Sequence, residues 1–142
     1  FSNSDTLFKW LVILAEDGDP RAYGVLGTMY AEGNGTSKDE AMAMKWFKKA
    51  VEAKEPYGMY NASRAFLIGM NGEYDLAKGT QYAVASYAAG VEQAMDLVLF
   101  ATHKYYEEGN RQQFLSLTTY AAINGNDKAK KFLSRAINFG SH

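Results

Sequence analysis

The 142-residue chain contains no cysteine. Disulfides, thiol nucleophiles and thiolate metal sites are excluded together, while the compartment stays open. Two prolines and two histidines leave few helix breaks and little material for a nucleophile beside a base. Charge of one sign is missing as well: 15 basic against 16 acidic residues give a net charge of -1. No electrostatic footprint for nucleic acid arises from such a balance. The longest apolar run, Leu11 to Ala15, falls far short of the roughly 20 residues that cross a bilayer. What the chain does have is apolar mass, 47% of its residues with 10 tyrosines among them. That composition can build a continuous core in one domain and lies outside the disordered class. The opening on Phe1 in place of methionine leads to the expectation of a removed signal peptide or further upstream sequence. The closing Gly140-Ser141-His142 is given no functional weight.

Self-comparison shows an internal repeat. At a shift of 36, Gly33 meets Gly69, Asp39 meets Asp75, Ala41 meets Ala77 and Ala53 meets Ala89. Trp10, Trp46 and Tyr82 follow the same register, and a last step of 35 reaches Ala121-Ala122-Ile123-Asn124-Gly125. Each unit reads as two helices. In the clearest one, Ala22, Leu26, Met29, Tyr30 and Gly33 recur at three- and four-residue spacing from Pro20 to Glu32, which marks one buried helical stripe. Pro20 suits the first turn, and Gly33-Asn34-Gly35 provides the stop. Ser37 or Asp39 caps a second helix that turns Ala43, Trp46, Phe47, Ala50 and Val51 inward.

The series Ala22, Leu26-Gly27, Tyr30, Gly33, Gly35, then Lys38-Asp39, Ala43, Trp46-Phe47 and Ala50 resembles the Sel1-like repeat, a tetratricopeptide-type family. The second unit departs at Ala62-Ser63, Phe66 and Gly79. In the third, Tyr106 and Gly109 stand for Tyr30 and Gly33 if its first helix is about one turn longer and its loop shorter. The resemblance implies an all-α fold, a superhelical solenoid of antiparallel helix pairs with about seven helices. As a single domain over residues 1–142, it divides into a partial repeat at 4–18, repeats at about 19–54, 55–90 and 91–125, and a capping helix at 127–138.

The ends differ from the middle. The segment Asp5 to Glu16 is apolar nearly all round, with Phe8, Val12 and Ile13 added to a stripe of Leu7, Trp10, Leu11 and Leu14. A helix without a polar face wants a cover, so Phe8, Val12 and Ile13 are candidates for a contact at this end, self-association included. The last segment is expected to bury Ala129, Phe132, Leu133, Ala136 and Ile137 and to solvate its other face with Lys128, Lys130, Lys131, Ser134 and Arg135.

No catalytic or metal constellation stands out. His103 sits on a helix and His142 at the terminus, neither beside a nucleophile. Gly33-Asn34-Gly35-Thr36-Ser37-Lys38 lacks the preceding strand and the Gly-Lys-Ser/Thr order of a phosphate loop. Carboxylates such as Glu107-Glu108 have no hard-cation spacing. The chain is therefore read as a non-enzyme without cofactor.

Helix-pair solenoids bind partners on the concave face of their first helices. By the tetratricopeptide register the candidates are Arg21, Thr28 and Glu32, then Tyr57, Tyr60, Asn61, Arg64 and Ile68, then Gln93, Asp96, Phe100 and His103. Asn61 and Arg64 share one helix face and can hold a peptide carboxylate or backbone. The leading expectation is a bacterial adaptor that binds a protein or peptide, with neither nucleic acid nor membrane insertion. An exported or periplasmic setting is favoured by the resemblance. A structural spacer or oligomerisation segment, or an immunity or inhibitor protein, stays open beside it.

Overall fold

The computed structural model describes residues 3–140, apart from the side chains of residues 137–140. These residues form α1 (Asn3–Glu16), α2 (Pro20–Glu32), α3 (Glu40–Glu52), α4 (Pro56–Ile68), α5 (Leu76–Ala88), α6 (Ala94–Glu107), α7 (Arg111–Ile123) and α8 (Asp127–Gly140). A single 3-10 turn, Met70–Gly72, follows α4. The described residues are thus all-helical, and their eight α-helices agree closely with the number expected. The chain divides into two compact units, Phe1–Ala94 and Met95–His142.

In the first unit, local chemistry sets the helix ends. Asp19 accepts the Arg21 N–H at 3.1 Å and caps α2 ahead of Pro20. Asp39 and Asp75, one repeat apart, accept from Met42 at 3.0 Å and Lys78 at 2.9 Å, capping α3 and α5. Of the two candidates for the α3 cap, Asp39 is the residue that acts. Each of these aspartates also pins its loop to the preceding helix, since the Asp39 N–H donates to Tyr30 and the Asp75 N–H to Phe66. After the second helices another bond recurs, from Asp19 N–H to the Leu14 carbonyl and from Glu55 N–H to Ala50, both at 3.0 Å. The turn that carries it needs a left-handed residue. Gly18 supplies it at φ 87, whereas Lys54 is held there at φ 55, a strain that glycine would relieve.

Packing follows the helix pairs. The most extensive interfaces join α2 to α3 and α4 to α5. Small residues allow the close approach: a Cβ on Gly27 would stand 2.5 Å from the Phe47 ring, and one on Gly79 would stand 2.5 Å from Leu67. The buried Ser63 hydroxyl donates to the Gly79 carbonyl at 2.6 Å, so serine here satisfies a helix-to-helix bond. One core joins Leu11, Ala15, Ala22, Leu26, Met29 and Trp46, and the next joins Ala43, Met44, Phe47, Ala62, Ala65 and Phe66. Trp46 stacks on Tyr23 with ring centres 5.7 Å apart.

The second unit contains α6, α7 and α8. Its core gathers Ala121, Ala122 and Ala129 with Met95, Leu99 and Leu133. The same backbone bond closes the turn after α7, from Asn126 N–H to the Ala121 carbonyl at 2.9 Å.

Three expectations need correction. In α1, Phe8 and Val12 pack into the core around Leu11 and Ala15, while Leu7, Trp10, Ile13 and Leu14 face outward. An almost uniformly apolar helix has no phase in its sequence, and the neighbour α2 selects the buried side. In α8, Ala129 is buried and Leu133 half-buried, but Phe132 and Ala136 are exposed. Within its unit α8 packs on α7, which covers only one narrow face, and the Ile137 side chain lies outside the described residues. The third concerns α6, which has 14 residues against 13 in α4. It is displaced along the sequence and not lengthened by a turn: shifting α4 by 36 gives 92–104, whereas the helix runs Ala94–Glu107. Gly109 still marks its stop, at φ 76.

Candidate functional site

The first helices of successive pairs in the first unit, α2 and α4, also touch one another. They meet where Gly24 opposes Gly58: a Cβ on Gly24 would stand 2.9 Å from the Gly58 Cα. Any larger residue at this crossing would force the helices apart. One turn beyond, a groove of about 170 Å³ opens, lined by Thr28, Ala31, Glu32, Phe47, Asn61, Arg64, Ala65, Ile68 and Met70. The buried Phe47 ring of α3 lies beneath it. Thus Thr28, Glu32, Asn61, Arg64 and Ile68, candidates drawn from two separate repeats, share one cleft.

The groove combines several chemistries. Ile68 is 70% exposed at one side and forms, with Ala31, Ala65 and Met70, an apolar contact surface. Asn61 is half-buried and offers both an amide donor and a carbonyl acceptor. The Thr28 hydroxyl donates to the Gly24 carbonyl at 3.0 Å, which leaves its lone pairs as acceptors. Arg64 is exposed and rests over the Tyr60 ring at 5.9 Å. No salt bridge of Arg64 is found among the described residues, so its planar fork is held by an aromatic face and keeps its donors for an incoming acceptor. Glu32, also exposed, adds one carboxylate.

Other candidates stand apart from the groove lining. Arg21 grips Asp19 through Nε at 3.1 Å and a terminal nitrogen at 2.8 Å. That hydrogen bond lowers the Asp19 pKa and raises that of Arg21, so Arg21 serves the α2 N-terminus. Tyr57 is exposed in the first turn of α4, and Tyr60 supports Arg64 without lining the cleft. In the second unit, Phe100 is exposed with Lys104 over its ring at 5.4 Å. His103 pairs with Glu107 at 2.8 Å on the same exposed helix face. His142 lies outside the described residues. Among the described residues no group of three or more metal-ligating side chains is assembled, and no helix is long and apolar enough to cross a membrane.

Sequence reasoning missed Ala31, Phe47, Ala65 and Met70 as groove residues. Phe47 was assigned to the core alone, and Met70 enters only because the 3-10 turn folds back after α4. Glycine in both first helices, at 24 and 58, was the signal available for a close helix crossing.

Comparison with solved structures agrees with this architecture. A Sel1 repeat protein from Oxalobacter formigenes superposes with a TM-score of 0.71 at 24% identity, over 94% of this chain and 55% of that one. The fold is that of the Sel1-like repeat. A second structure with this fold is c5321, a protective antigen present in uropathogenic Escherichia coli strains, with a TM-score of 0.58 at 21% identity. It is matched over 93% of this chain and 36% of its own length. This chain therefore spans about half of the first Sel1-like protein and about a third of the second. No family model and no curated protein matches the sequence.

Proposed function

We propose that this chain is a non-catalytic scaffold that holds an extended segment of a partner protein in the groove between α2 and α4. The observation that carries the reading is the convergence of Thr28, Glu32, Asn61, Arg64 and Ile68 in one cleft. Solenoids of helix pairs leave this face of their first helices free for partners. The groove offers amide and hydroxyl groups for a peptide backbone, an arginine for a carboxylate, and apolar surface for one side chain. An acidic residue next to an aliphatic or aromatic one is the ligand pattern that this chemistry favours. The Sel1-like resemblance points the same way, toward adaptors in bacteria and an exported setting.

Selection of a displayed peptide library on the full chain tests the proposal. Enriched peptides should carry an acidic–apolar pair, and Arg64→Glu combined with Ile68→Ser should weaken them at least about tenfold. Both side chains are exposed, so the double variant should keep its helicity. Peptides that bind wild type and variant equally would remove the groove from the account.

A further inference from the structure

The repeat register makes α1 the counterpart of α3, because Leu7, Trp10 and Leu14 stand 36 residues before Ala43, Trp46 and Ala50. In α3 these three positions are 0%, 7% and 0% exposed, whereas in α1 they are 48%, 62% and 40% exposed. The same face is sealed in one helix and bare in the other. What seals it in α3 is the paired first helix, α2, through one of the two most extensive interfaces of the unit. Tyr23 of α2 stacks on Trp46, and Gly27 of α2 lies against Phe47. By contrast α1 makes only the shallower contact, with the first helix of the following pair.

We infer that the face formed by Leu7, Trp10 and Leu14 is a docking surface for an antiparallel helix of the α2 type, supplied by a further repeat unit joined ahead of α1. Continuity with the α2–α3 interface selects this occupant. Leucines replace the alanines of α3 at two positions, so the docking helix presents small residues opposite Leu7 and Leu14 and a ring near Trp10. A second copy of the chain fits less well. The exposed parts of these side chains and Ile13 offer on the order of a few hundred Å², whereas stable complexes bury about 1,200–2,000 Å². A covalently joined helix needs no such area, because linkage supplies its effective concentration.

The test places a second copy of residues 19–38 directly ahead of Asn3, so that Asn3 takes the place of Asp39. Trp10 and Trp46 are the only tryptophans, so iodide quenching of the unextended chain reports mainly on Trp10. The extension should add helical signal, reduce quenching severalfold and raise the melting temperature. A second host with Leu7→Ala and Leu14→Ala brings α1 closer to α3 and accommodates a docking helix that carries α2's own side chains. If Trp10 stays fully quenchable in both extended hosts, helical or not, the inference fails. It fails equally if the unextended chain sediments as a dimer that Trp10→Glu dissolves, which would assign the face to a second copy.

Discussion

Helices α1 and α3 share a register and a tryptophan, yet Trp46 is buried beneath a stacked tyrosine while Trp10 points outward. The contrast separates two properties that sequence patterns merge. Periodicity fixes which side chains share a face, and the neighbouring helix decides whether that face is covered. In α3 both neighbours are present, and the small residues Ala43 and Ala50 suit a close pair. In α1 the larger Leu7 and Leu14 occupy those places and remain largely exposed.

Parallel truncations should break the comparison if it is wrong. Trp46→Ala is expected to cost about 3–5 kcal/mol, as for other buried aromatic residues, whereas Trp10→Ala should stay within about 0.5 kcal/mol. Chemical denaturation of both variants checks this, and equal losses would mean that Trp10 is covered after all. Gly27→Val, which drives a branched side chain toward Phe47, should cost about 1–3 kcal/mol by overpacking. Leu7→Val, on the corresponding open side of α1, should cost little in the same experiment.

Smaller effects sharpen the account of the repeat. Lys54 is the left-handed residue where the equivalent turns carry Gly18 and Gly90, so Lys54→Gly should stabilise the chain by about 0.5–1 kcal/mol in thermal melts. Glu73 accepts from Lys48 of α3 at 2.7 Å, and this hydrogen bond lowers its pKa. A carboxylate depressed in the folded state stabilises above its unfolded pKa and loses that contribution as the pH falls through the folded value. Glu73→Gln should therefore cost no more than about 0.5 kcal/mol at pH 7, given solvent screening of an exposed pair. The cost should fade on acidification, and urea midpoints measured at pH 7 and pH 3 would show it.

Much of the first unit was legible because its punctuation is strong. Pro20, Gly33 and Asp39 bracket α2 and the start of α3 at the residues expected, since each acts through its own backbone or cap. The 35-residue final step places α7 at Arg111–Ile123, in register with α5. The direction in which α1 faces was not legible, because apolar residues on every side leave no phase to read. Nor was the displacement of α6, which depends on where the turn after Val91 releases the chain into a helix. At the groove, Asn61 and Arg64 could be read from helical spacing. The Gly24–Gly58 crossing could not be read from the repeat, because the two glycines lie 34 residues apart and align with Tyr60 and Ala22 at the repeat shift. Close contact between first helices is thus a property of packing that self-comparison does not display.

The central claim is that the α2–α4 groove receives a protein segment, and amide chemical-shift mapping of the full chain with a selected acidic–apolar peptide tests it most directly. The expected result is a cluster of saturable shifts at Thr28, Glu32, Asn61, Arg64 and Ile68, weakened by salt as screening of Arg64 requires. Shifts gathered instead on the outer face of α3 around Lys45 and Lys49, with the groove amides unmoved, would contradict it.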